Sequence, residues 1–159
     1  MKMRRATVVS VWTLACIMLV SACIKRVEMT PASSVGASLA LERFLAAANG
    51  KDLTGMSNLF GTKTGPIIKR DEKAQVETQM HLLATVLRHD DFKIEGEEIV
   101  PGRRSDATLL NVNIIKGKQA TLVPFVMVRT NDGHWIVECF EIERLTANTS
   151  TNKCTSPAG

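Results

Sequence analysis

The chain has 159 residues, 45% of them hydrophobic, with five Phe, two Trp and no Tyr. Its formal charge of +4 is concentrated at the start: Lys2, Arg4 and Arg5 are three of the 20 basic residues, and beyond residue 22 there remain 17 basic against 16 acidic side chains. A balance near +1 removes the electrostatic basis for nucleic-acid binding, and the length fits one domain with a real core.

Residues 1–22 have the layout of a secretory signal. Lys2, Arg4 and Arg5 precede a largely apolar run over 6–20, interrupted by Thr7, Ser10, Thr13 and Cys16, and the small residues Ser21 and Ala22 follow. The run is shorter than the about 20 apolar residues of a spanning helix, and Lys25-Arg26 come soon after it. Leu19-Val20-Ser21-Ala22-Cys23 resembles the bacterial lipoprotein signal. That resemblance implies cleavage before Cys23, a diacylglyceryl group on its sulfur and a fatty acid on the new N-terminus. The chemistry needs a thiolate that can be alkylated. The alternatives are an ordinary cleaved signal and an uncleaved anchor helix. Ile24 stands where many enteric lipoproteins carry the Asp that retains them in the inner membrane, so the expected location is the periplasm-facing outer membrane, with the membrane itself as partner through the N-terminal lipid.

Residues 23–33 read as a tether. At about 3.3 Å per residue it spans at most roughly 35 Å, which keeps the domain at 34–146 close to the bilayer. The first helix is expected over 34–48, capped by Ser33 or Ser34. Ala37, Leu41, Phe44, Leu45 and Ala48 form its apolar stripe. Asn49-Gly50 should end it, with Gly in the left-handed conformation. Asp52 is expected to cap a short helix to residue 60. Ile67-Ile68 could form a short strand, and Asp71 should cap a third helix over 71–89 with Val76, Met80, Leu83, Ala84 and Leu87 inside.

The periodicity then changes from helical to two. Strands are expected over 92–100, 108–116, 120–130 and 134–145. Phe92 and Ile94 share a face, but Ile99 has the wrong parity, which predicts a bulge near Gly96-Glu97-Glu98. Pro124 is expected at an edge or a bulge, and Asn131-Asp132-Gly133 is a hairpin signal. Residues 147–159 are a polar tail. Three helices followed by four strands argue α+β, with the helices packed on one face of a curved antiparallel sheet.

Two stretches carry a family resemblance. In Phe44-Leu45-Ala46-Ala47-Ala48-Asn49-Gly50-Lys51-Asp52-Leu53 a helix breaks at Gly and a second starts at Asp, and Asn131-Asp132-Gly133-His134-Trp135-Ile136-Val137 joins a turn to a Trp-initiated strand. In this order and spacing, over about 34–145, the chain resembles the nuclear-transport-factor-2-like (NTF2-like) fold. The resemblance implies a curved sheet wrapped around helices into a cone. Phe44, Leu87, Leu110, Phe125, Glu138 and Phe140 are then the candidate pocket residues.

No catalytic constellation is expected. Family members resembling ketosteroid isomerase use a carboxylate base with an oxyanion stabiliser, typically Tyr, and no Tyr is present. His81, His89 and His134 fall on a polar helix face, a helix end and a strand start. Glu138 is the one carboxylate of interest: its parity is that of Ile136, Phe140 and Ile142, so it either lines the cone or pairs with Arg129 across the last hairpin. No metal-ligand spacing and no cofactor signature occur. Once Cys16 leaves with the signal and Cys23 is lipidated, Cys139 and Cys154 form a candidate disulfide. The rival is a buried Cys139 with Cys154 free or paired between molecules. Trp135, Val137 and Cys139 fall on the face opposite Phe140, an apolar outer face that a tail or another subunit would cover. The function expected is therefore non-enzymatic: an envelope lipoprotein binding a small apolar ligand or a protein partner, including a second copy through the sheet face. The alternatives are an enzyme with Glu138 as acid/base and a structural or assembly protein.

Overall fold

The computed structural model describes residues 32–103 and 105–146. Helix α1 is Ala32–Gly50, so Ser33 and Ser34 lie within it rather than before it. It does not end as expected. The left-handed residue is Lys51, with φ of 54°, and the end is closed by Lys51 N–H to Ala48 O at 3.2 Å and Asp52 N–H to Ala47 O at 2.9 Å. Asp52 does cap α2 (Leu53–Asn58), accepting from Gly55 N–H at 2.9 Å. A Cβ on residue 55 would come within 2.3 Å of that carboxylate, so the Asp52 side chain would have to shift to admit any other residue there. Gly61–Thr62 (β1) and Gly65–Pro66 (β2) form a small hairpin. A 3-10 turn, Ile67–Lys69, stands where a strand was expected. Helix α3 is Lys73–Leu87 and starts after Glu72, which makes no side-chain cap. Asp71, the expected cap, lies one residue further out, 3.8 Å from Arg70.

The fold is α+β. Strands β3 (Asp91–Ile99), β4 (Ala107–Lys116), β5 (Gln119–Arg129) and β6 (Trp135–Phe140) form an antiparallel sheet in that order. The last strand stops five residues short of expectation, at Phe140 rather than Leu145. A 3-10 turn, Ile142–Arg144, follows, closed by Leu145 N–H to Ile142 O at 3.0 Å and by an ion pair between Glu141 and Arg144. The expected bulge is present one residue early: Glu95 is the extra residue between Ile94, opposite Val112, and Gly96, opposite Asn111. It returns Ile99 to the face of Phe92 and Ile94, yet Ile99 stays 83% exposed because the helical layer does not cover that end of β3. Pro124 lies in β5 just beyond the stretch paired to β6, which starts at Phe125, so the strand is locally an edge on that side.

The free edge of β6 is covered by residues 59–63. Val137 N–H donates to Leu59 O at 2.8 Å, Phe60 bridges Val137 in parallel, and Asn131 N–H donates to Lys63 O at 3.0 Å. The helices pack on one face of the sheet. The full α1 stripe and Val76, Met80, Ala84 and Leu87 of α3 are buried against Leu110, Val112, Ile114, Val123, Phe125, Met127, Val137 and Phe140. Leu83, at the margin of the α3 stripe, is half-buried. A smaller cluster of Val100, Ala107 and Val126, with Leu109 and Cys139 against it, lies on the opposite face. Among the described residues no helix is long and apolar enough to cross a membrane.

Candidate binding cleft

Five of the six candidate pocket residues come together, but as filling rather than lining. Phe44, Leu87, Leu110 and Phe125 are at most 1% exposed and Phe140 is 8% exposed, all within the main core. The Phe125 and Phe140 rings stack with centroids 4.9 Å apart, and Phe44 lies 6.5 Å from Phe140.

Glu138 does not join them. Cys139 pairs with Val126 and Val137 with Met127, which makes Glu138 the extra residue of a second bulge. Counting by twos across it fails, because one inserted residue exchanges the faces on either side. Trp135 and Val137 consequently pack with the helical core, together with Phe140, while Cys139 packs on the opposite face. The Glu138 carboxylate meets the Arg103 guanidinium of the β3–β4 turn, with side chains 12% and 17% exposed. Arg129 instead closes the last hairpin, donating from Nε to Gly133 O at 3.2 Å.

The histidines are dispersed. His81 and His134 are exposed. His89 is buried: its Nδ1–H donates to Leu87 O at 2.7 Å, its ring meets the edge of Phe92, and its backbone is held by Asn49, which donates to His89 O at 3.0 Å and accepts from His89 N–H at 3.1 Å. Cys139 is disulfide-bonded. Cys23 and Cys154 lie outside the described residues, as do the signal and tail segments. On the outer sheet face, Val126, Val128 and Ile136 are buried within the chain itself, while Leu122 is 42% exposed. Among the described residues no cluster of His, Cys, Asp or Glu could hold a metal ion.

A concave site forms elsewhere, where α1 passes the β5–β6 turn and the β2 region. This open cleft of about 460 Å³ is bordered by Leu39, Ala40 and Arg43 of α1, by Lys69 of the 3-10 turn, and by His134 and Trp135 of the last hairpin. Trp135 reaches it because α1 carries Gly36 at the crossing: a Cβ there would stand 2.8 Å from the indole Cδ1. The hairpin is fixed by Thr130, whose buried hydroxyl donates to Asp132 and accepts from His134 N–H at 3.0 Å. That hydroxyl, with smaller contributions from His134 and Lys69, holds the Asp132 carboxyl below its ordinary range. Asp132 is thus an anion on the cleft border, which it shares with the permanent cations Arg43 and Lys69.

In the sequence Lys69-Arg70 reads as a basic pair on a loop that could touch anionic lipid headgroups, with solvated loop charge the favoured reading, and Arg43 as a residue off the core stripe; nothing there links the two. The signal lay in Val35, Leu39 and Arg43, a second stripe at helical spacing on the side of α1 away from the core stripe. Comparison with protein-family models and with curated proteins finds no match.

Proposed function

We propose that the chain is a lipid-anchored lipoprotein of the bacterial envelope, held at Cys23, whose NTF2-like domain is a non-enzymatic binding module. The observation that carries the binding reading is the filled interior: the residues that would line a cone pocket pack against one another, so binding falls to the outer surface. Three helices, the small hairpin beside the β6 edge and the bulged antiparallel sheet support the NTF2-like reading. The engagement of Glu138 with Arg103 supports a structural role for that carboxylate. The cleft is formed in part by the first turns of α1, directly after the tether, and so within a short reach of the bilayer.

The anchor is tested by metabolic labelling with a fatty acid. The wild-type chain should take up label, and Cys23→Ala should remain an unlabelled, unprocessed precursor. Equal labelling of the two would remove the anchored reading. Intact-mass analysis of gently extracted protein then reports a retained small molecule or partner.

A further inference from the structure

The cleft beside α1 has a definite chemical polarity. Along the exposed side of the helix, Val35, Leu39 and Arg43 follow at intervals of four, so they lie on one face. Val35 is 62% and Leu39 46% exposed, although neither is small or polar. The Trp135 indole continues this apolar surface across the cleft, and Leu59 and Pro66 border it. The other end is cationic. Arg43 and Lys69 both border the cleft, and among the described residues neither has an ion pair or a side-chain hydrogen bond. Asp132 opposes them, but its carboxylate is engaged by the Thr130 hydroxyl, and two permanent cations against one anion leave the site positive even with His134 neutral.

We infer that this cleft binds an anionic amphiphile, a carboxylate or phosphate head on an apolar chain. The head lies between Arg43 and Lys69, where the guanidinium supplies paired donors for a planar or tetrahedral oxyanion. The chain lies along Leu39 and the Trp135 ring. The volume of about 460 Å³ falls within the range of about 300–1,000 Å³ common for small-molecule sites. The inference deepens the binding-module reading by naming the ligand class, and it does not depend on how the chain is anchored. The head group could belong to a free fatty acid or to an anionic lipid of the adjoining bilayer.

The native indole serves as reporter. Trp12→Phe leaves Trp135 as the only Trp in the full chain. That protein, held in nanodiscs of zwitterionic lipid, is titrated with decanoate and, separately, with decanol. Decanoate should shift Trp135 emission saturably and decanol should not. Arg43→Gln combined with Lys69→Gln should weaken decanoate binding by about tenfold or more, a change of about 1.4 kcal/mol. Both side chains are exposed, and an unchanged thermal transition verifies that the variant is folded. A shift also seen on exchanging the discs for anionic phosphatidylglycerol, without decanoate, and lost in the double variant, identifies a bilayer lipid as a source. A response to decanoate alone identifies a free amphiphile. No saturable shift with either anionic probe, an equal response to decanol, or undiminished affinity in the double variant would overturn the assignment. Repeating the decanoate titration with Cys23→Ala separates the two questions: loss of lipid labelling leaves this response intact.

Discussion

The ion pair between Glu138 and Arg103 is sheltered from water, with side chains 12% and 17% exposed. An ion pair at this burial resists loss of one partner more than it adds net stability, because the remaining charge stays in a poorly solvated place. Glu138→Ala should therefore destabilise the domain by about 2 kcal/mol, below the roughly 3–5 kcal/mol of a wholly buried pair. Chemical denaturation measures it, and a change within error of zero would mean that the pair is solvated. The more exposed carboxylates behave differently. The hydrogen bond from Lys63 at 2.7 Å holds Asp106 below its ordinary range, as the hydrogen bond from Asn113 does Glu95 and that from Thr130 does Asp132. Each folded value lies below the unfolded one. The stability they contribute is thus present above the unfolded carboxylate range, about pH 4, and is lost as pH falls through the folded values. Asp106→Asn should flatten the fall of stability below about pH 4, and salt should weaken the wild-type dependence, since Lys63 is 53% exposed. Denaturation midpoints over a pH series test this; a steeper acid dependence in the variant would contradict it.

At the scale of elements, the connection from α1 to α2 combines strain with a strong tether. Lys51 occupies the left-handed region at φ 54°, which costs a residue bearing a Cβ roughly 1–2 kcal/mol. Lys51→Gly removes that cost and adds unfolded-chain entropy, so a net gain of about 0.5 kcal/mol is expected; a lower thermal midpoint would count against it. Asn49, two residues earlier, clamps the backbone of His89 at the far end of α3 with two hydrogen bonds. Asn49→Ala should cost about 1–3 kcal/mol, since it leaves a donor and an acceptor beside the buried His89 unpaired. Native-state hydrogen exchange at His89 should accelerate in the same variant, and unaltered protection would show that the clamp is dispensable. The helix stripes and strand alternation were legible because burial of one face follows a fixed period: all five residues of the α1 stripe are in the core. The bulge at Glu95 was legible because two apolar residues had conflicting parity. The bulge at Glu138 was not, since Ile136, Val137 and Cys139 are apolar on both parities and no residue conflicted. The early end of β6 was equally silent, because the Ile142–Arg144 turn has the composition of a strand. The cleft was hidden for another reason: it assembles Arg43, Lys69 and Trp135 from three separate elements, which no local pattern links.

For the molecule as a whole, the outer sheet face poses the remaining stability question. Cys139 is half-buried on that face, disulfide-bonded, and packed beside Val100, Ala107 and Val126. The chain holds three other cysteines: Cys16, Cys23 and Cys154. If Cys16 leaves with the signal and Cys23 takes the lipid, Cys154 is the only partner left within one chain. The bridge would close a loop of about 15 residues, worth roughly 3 kcal/mol in the chain-entropy model. It requires an oxidising compartment, so it also bears on the envelope location. Non-reducing peptide mapping of the mature protein should recover the peptides of Cys139 and Cys154 joined. In Cys154→Ser the Cys139 thiol should become alkylatable on unfolding, and the thermal midpoint should fall. A Cys139 peptide joined instead to the Cys23 peptide would overturn both the pairing and the lipid on Cys23, because a sulfur held in a disulfide cannot also carry diacylglycerol.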